Sequence, residues 1–220
     1  VDLYMEIYTT HDYGQTWNRV PIGNMPATTQ TDRPVGIVNN YAVFGNKIWA
    51  QVFDGNPDAG APEYVWRSDD MGETWQAFPV DATIGRFTDM SFVDDLNGFA
   101  VGIQGDGLGT PFLQRTADGG ATWSVVNYTG PMMGANICNV PGTGLLMTVN
   151  GIYIGPQGTS YSADLGNTWT IIDTGSTQQH TEVKFLDAFV GWSGQYRQLS
   201  STAGGMFQWT GTLLPVNISS

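Results

Sequence analysis

The 220-residue chain predicts an all-β protein assembled from small antiparallel sheets of similar length. Three observations lead there. An eight-residue pattern, Ser/Thr-x-Asp-x-Gly-x-Thr-Trp, occurs four times, at 10–17, 68–75, 116–123 and 162–169. The chain is rich in turn and strand formers, with 29 glycines, 8 tryptophans, 9 tyrosines and 10 phenylalanines, and only 13% of its residues are charged. No segment carries a sustained 3.6-residue apolar period, so helices are expected to be few. A pattern that returns at near-fixed intervals marks a repeat architecture and has to be explained before any residue is assigned chemistry.

The pattern is self-contained turn chemistry. Asp12, Asp70, Asp118 and Asp164 can accept hydrogen bonds from the backbone of their own turns. Gly14, Gly72, Gly120 and Gly166 permit positive φ. The Ser or Thr two places before each Asp can bond locally. Trp17, Trp75, Trp123 and Trp169 open the next strand and supply apolar area to anchor the hairpin.

Successive box tryptophans lie 58, 48 and 46 residues apart. A four-stranded propeller blade takes about 40–50 residues, so the last two intervals are one blade each and the first is a blade with an insertion, 54–62. Leu3–Tyr8 reads as a strand entering the first box. The second blade, about 35–80, offers strands at 35–38, 41–44, 47–53 and 64–68, with Asn39-Asn40 and Gly45-Asn46 read as hairpin turns. The segments beginning at Met90 and Val183 share Phe, Asp, Gly and an aromatic at equal offsets from Phe92 and Phe185, a second repeated signature. Asp94 and Asp187 are read as turn residues of that signature. Between them, about 135–174, strands are expected at 145–149 and 151–154, and a last strand at 206–210 with no fifth box after it.

In these boxes the chain resembles the Asp-box (BNR-repeat) β-propellers of sialidases, xyloglucanases, sortilin-type receptors and photosystem II assembly factors. The resemblance implies four-stranded antiparallel blades around an axis, with the boxes on the periphery, away from any substrate. Five blades are expected, the terminal one shared between N- and C-terminal strands; the rival is part of a six- to eight-bladed ring. Residues 1–212 form one propeller domain in this reading. Residues 213–220 begin a C-terminal linker or tail, with further domains in the intact protein.

A net charge of −12, with Lys47 and Lys184 the only lysines, repels phosphate backbones and opposes nucleic-acid binding. No run approaches the ~18 apolar residues of a membrane span. Cys138 is the one cysteine and is read as an inert buried thiol. Low lysine with abundant Gly, Thr, Asn and aromatics suits an extracellular, cell-surface or periplasmic bacterial protein.

Asp54, Asn56 and Asp58 place oxygen side chains at alternate positions, as calcium loops do, with Glu63 the available substitute for the missing twelfth-position Glu. The competing reading is a plain solvated loop. No other cofactor is expected. Sialidase chemistry needs an arginine cluster, and the Phe-Arg-Ile-Pro motif of that family is absent. Arg19, Arg67 and Arg115 flank boxes, which leaves Arg33, Arg86 and Arg197. His11 and His180 suggest neither a metal site nor a triad. Tyr41, Tyr196 and Trp209 are candidates for stacking sugars, with core packing the default. No catalytic residue is assigned. The expected function is a non-catalytic module for structure, adhesion or recognition of a protein or glycan ligand. The alternative is an Asp-box glycoside hydrolase, sialidase- or xyloglucanase-like.

Overall fold

The computed structural model describes residues 5–27, 34–54, 63–81, 86–104, 110–151, 156–174, 180–195 and 205–211. Apart from a 3-10 turn at Ile22–Asn24, its regular elements are strands. No helix among the described residues is long and apolar enough to cross a membrane.

The chain opens with a two-stranded hairpin, β1 (Tyr8–Thr9) and β2 (Asn18–Arg19), around the first box. Three four-stranded antiparallel blades follow. The first is β3 (Pro34–Phe44), β4 (Lys47–Asp54), β5 (Glu63–Ser68) and β6 (Gln76–Val80). The second is β7 (Arg86–Phe92), β8 (Gly98–Ile103), β9 (Pro111–Thr116) and β10 (Ser124–Val125). The third is β11 (Asn136–Val140), β12 (Leu145–Asn150), β13 (Gly158–Ser162) and β14 (Thr170–Asp173). The fourth has three described strands, β15 (His180–Phe185), β16 (Gly191–Gln195) and β17 (Met206–Gln208). The first strand of each blade packs on the first strand of the next, β3 on β7, β7 on β11 and β11 on β15, which is the arrangement of a propeller.

Among the described residues the blades number four, three of four strands and one of three, and the expectation of a fifth blade shared between the chain ends is corrected. β17 is the third strand of its blade, and β1 pairs with β2 alone among the described residues, in the position before a box that third strands hold in the other blades. Two third strands cannot occupy one place in a four-stranded sheet. The β1–β2 hairpin lies instead against the first blade. Asn24 accepts from the Trp75 amide at 2.8 Å and donates its side-chain amide to the Glu73 carbonyl at 3.1 Å.

Asn39-Asn40 is likewise not a hairpin turn. β3 runs unbroken through it, with residues 37–40 bulged opposite Gln51, because the Asn40 side chain donates to the Gln51 side chain and so needs no chain reversal. Gly45, at φ +56, makes the turn to β4. The strand expected at 151–154 lies mostly outside the described residues, as do most of the segment 3–8's first half and all of 213–220.

The core sits between blades. Trp49 is fully buried, stacks on Phe92 with ring centroids 3.6 Å apart and donates its indole N–H to the Gly119 carbonyl at 2.8 Å. Burying an indole of this size is worth roughly 4–6 kcal/mol of transfer free energy. Trp123 meets Phe87 and Phe92 edge-on at 5.1 and 6.0 Å, closing the seam between first and second blades. Trp169 packs with Phe99, Ile137 and Leu146 in the next seam.

Candidate functional site

Each box closes on itself with the same hydrogen bonds. In order, the amides of Thr16, Thr74, Thr122 and Thr168 donate to Oδ1 of Asp12, Asp70, Asp118 and Asp164 at 2.8, 2.8, 2.9 and 2.8 Å. The hydroxyls of those threonines donate to the aspartates' Oδ2 at 2.6–2.7 Å. Each box Trp donates its indole N–H to the box Gly carbonyl at 2.9–3.2 Å. The threonine bonds hold the Asp12 carboxyl down to about 2 and lower Asp70 in the same way. At Asp118 and Asp164 partial burial works against this, and the Thr122 and Thr168 bonds overcome it. One feature escaped the sequence reading. The residue after each Asp also adopts positive φ: Tyr13 at +60, Met71 at +61, Gly119 at +71 and Leu165 at +59.

Asp94 and Asp187 are turn residues as expected. Asp94 Oδ1 accepts from the amides of Leu96 and Asn97 at 2.8 and 2.7 Å, and Asp187 Oδ1 from those of Phe189 and Val190 at 2.8 Å each.

Sequence reasoning missed a second use of polar side chains. Amides on the first strand of a blade donate to side-chain acceptors from the preceding blade. Phe87 N–H donates to Glu63 Oε1 at 3.3 Å, Ile137 N–H to Asp89 Oδ2 at 3.0 Å, Asn139 N–H to Ser91 Oγ at 2.9 Å and Val183 N–H to Asn136 Oδ1 at 3.1 Å. Burial pushes the carboxyls of Glu63 and Asp89 up to about 7 despite these bonds. The only signal in the sequence was an acid set among strand apolars, as in Phe87-Thr88-Asp89-Met90.

Lys184 reaches Asp89 Oδ2 at 3.5 Å and Glu182 Oε1 at 3.2 Å. Burial of its stem pulls the amine's pKa down, and the carboxylates of Asp89 and Glu182 more than offset this, so it stays charged. It borders an axial groove of about 280 Å³ with Tyr41, Val43, Met90, Ser91 and Phe92. Burial raises the Cys138 thiol to about 11, which fits the inert reading.

A second cavity, about 160 Å³, lies between third and fourth blades, walled by Met147, Val149, Ile172, Val183, Phe185 and Phe207 with Trp209 beside them. At its polar end His180 Nδ1 is 2.6 Å from Ser193 Oγ, while His180 Nε2 is 4.0 Å from Asp173 Oδ2. The latter distance exceeds hydrogen-bond reach, so the three do not form a proton relay.

Of the other candidates, Asn56, Asp58, Arg33, Tyr196 and Arg197 lie outside the described residues, as does the side chain of Asp54. Glu63, the proposed substitute in the candidate calcium loop, is buried, with its Oε1 accepting from the Gln51 side-chain amide and from Phe87 N–H. Arg67 pairs with Asp69 at 3.3 Å and donates to the Asp118 and Gly119 carbonyls, tying one box to the next. His11 bonds Glu73 at 2.9 Å on the surface.

No family model and no curated protein matches the sequence. Solved structures do match the fold. The chain is similar to YCF48 bound to a D1 peptide, at 18% identity and TM-score 0.53, over 87% of this chain and 55% of that one. It is similar to the GH74 enzyme of Niastella koreensis, at 14% identity and TM-score 0.55, over 78% of this chain and 28% of that one. It is similar to the Trypanosoma rangeli sialidase in complex with sialic acid, at 14% identity and TM-score 0.54, over 91% and 40%. The chain thus spans less than two thirds of each of these proteins. At such identities the likeness speaks for fold alone. Four boxes closed by the same threonine bonds, one on the β1–β2 hairpin and one on each of the three four-stranded blades, give the chain a β-propeller fold carrying Asp-box turns, similar in fold to these structures.

Proposed function

We propose that this propeller is a recognition module that binds a protein or glycan ligand without transforming it, in a secreted or surface-displayed bacterial protein. One observation carries the reading: the described acids with displaced pKa values are committed to architecture. The box carboxylates are bonded inside their own turns, and Glu63 and Asp89 are buried against inner-strand amides. A glycosidase needs two carboxyl groups facing one substrate, one of them able to give up a proton to it. The similarity to YCF48 bound to a peptide supports a protein ligand, and the axial groove beside Lys184 is the place for it, with an exposed amine to meet a carboxylate and Tyr41 and Val43 to meet apolar groups.

The hydrolase reading keeps one point in its favour, a carboxyl near 7 at Asp89 beside that groove. Hydrolysis of aryl glycosides, sialosides and β-glucans, measured for the wild type and for Asp89→Asn, separates the two. Recognition predicts binding on a glycan or peptide array with no turnover. Turnover abolished by Asp89→Asn would replace recognition by catalysis.

A further inference from the structure

The second and fourth blades can be superposed residue by residue through their pairing. Phe92 pairs with Gly98 and Phe185 with Gly191, and a register shift follows Phe87 and His180 alike. Phe87 therefore corresponds to His180, Met90 to Val183 and Ala100 to Ser193. In the second blade Phe87 and Phe92 carry the box indole of Trp123 on their faces. In the fourth blade no box follows β17 among the described residues, and the cavity of about 160 Å³ opens over His180 and Phe185. Trp209 takes over part of the missing indole's role, meeting Phe185 edge-on at 5.9 Å, and Phe207 meets His180 at 5.4 Å.

Two departures from the repeat thus coincide. The box indole that fills the seam in the second blade has only the partial substitute Trp209 in the fourth among the described residues, and an apolar pair, Phe87 and Ala100, is replaced by the hydrogen-bonded pair His180 and Ser193. Neither change is explained by the fold, since the second blade closes without them. A third observation points the same way: the indole N–H of Trp209, which lines this cavity, is buried and has no hydrogen-bond partner among the described residues.

We propose that the seam between third and fourth blades is a binding site for a single aromatic ring bearing one hydroxyl, a phenol-type group. The volume sets the size, because an apolar protein cavity of about 150 Å³ accommodates benzene. The walls of Met147, Val149, Ile172, Phe185 and Phe207 set the apolar, aromatic character. The hydroxyl is met by the His180–Ser193 pair, with Asp173 lining the same cavity. A charged ring substituent is disfavoured, since an ion of either sign would leave water for a mostly apolar cavity.

Phenol and benzene are the probes, titrated into the 220-residue chain with heat and with the methyl resonances of Met147, Val149 and Val183 as readouts. Phenol is expected to bind saturably at one site, shifting those methyls, about five- to tenfold more tightly than benzene, the ratio one net hydrogen bond provides. Ser193→Ala should bring phenol down to the benzene level while benzene is unchanged. His180→Phe with Ser193→Ala, which restores the second blade's own pair, should weaken both by filling the cavity. No saturable binding of either probe, equal affinity for the two, a preference for phenol that survives Ser193→Ala, or shifts confined to other methyls would each overturn the proposal. The array result above does not bear on this site, so the two proposals fail separately.

Discussion

Replacing Glu63 by Gln should flatten the protein's response to pH. Glu63 is 1% exposed; Oε1 accepts from Phe87 N–H and from the Gln51 amide, and Oε2 has no partner among the described residues. Burial raises the carboxyl from an ordinary 4.5 to about 7. The folded state therefore holds a proton that the unfolded chain releases near 4.5. The stabilisation this gives is fully present below the unfolded value, declines as pH rises and is lost above about 7. At about 1.4 kcal/mol per pH unit the loss from pH 4 to pH 8 is about 3 kcal/mol. Gln has nearly the same shape and no charge, so the variant escapes that loss. Asp89 titrates in the same direction and over a similar range, but is common to both proteins and cancels in the difference. The assay is urea unfolding of wild type and Glu63→Gln at half-unit steps from pH 4 to 8.5. The wild type should lose about 3 kcal/mol more than the variant across the range, most of it between 5 and 7. Parallel curves would show that Glu63 is hydrated and ionised in the folded protein, and the inter-blade role assigned to it would fall.

Substituting Asp70, Asp118 or Asp164 by Ala removes the acceptor of a threonine amide and hydroxyl, and each should cost about 1–3 kcal/mol by thermal or urea denaturation, to similar extents because the geometry is the same. Gly166→Ala should cost more than about 1 kcal/mol, since φ is +87 and the added Cβ would lie 2.5 Å from Leu113 Cδ2. Gly142→Ala, at φ +75 with open space around it, isolates the backbone part of that cost. Cys138, buried and raised to about 11, should react with a thiol reagent at pH 8 only at the rate of unfolding, and rapid labelling of the native protein would contradict its burial.

The fold was legible because the box is local. Every bond that defines Asp70-Met71-Gly72-Glu73-Thr74-Trp75 lies within five residues, so its pattern survives in sequence and its spacing measures the blade. The inner hairpins were legible for the same reason, through Asp94 and Asp187. The number of blades was not, because it depends on which place in a sheet β1 and β17 take, and a short strand carries no mark of that. Asn39-Asn40 misled since an Asn pair that bulges against Gln51 and one that turns a hairpin look alike until the partner strand is placed. The inter-blade acids were hidden because their partners, the amides of Phe87 and Ile137, are 24 and 48 residues away and backbone atoms leave no signature. His180 and Ser193 could have been found by aligning the second repeated signature beyond Phe92 and Phe185, where Phe87 and Ala100 show that polarity is a departure from the repeat.

The central claim is that the carboxylates of this chain hold its turns and blades together. Residue-resolved carboxyl titration by carbon-13 NMR measures it most directly. The account predicts that Asp12 titrates near 2 with Asp70, Asp118 and Asp164 also below the ordinary value, and that Glu63 and Asp89 titrate near 7. Box aspartates at ordinary values, or Glu63 and Asp89 ionising as free carboxyls do, would contradict it.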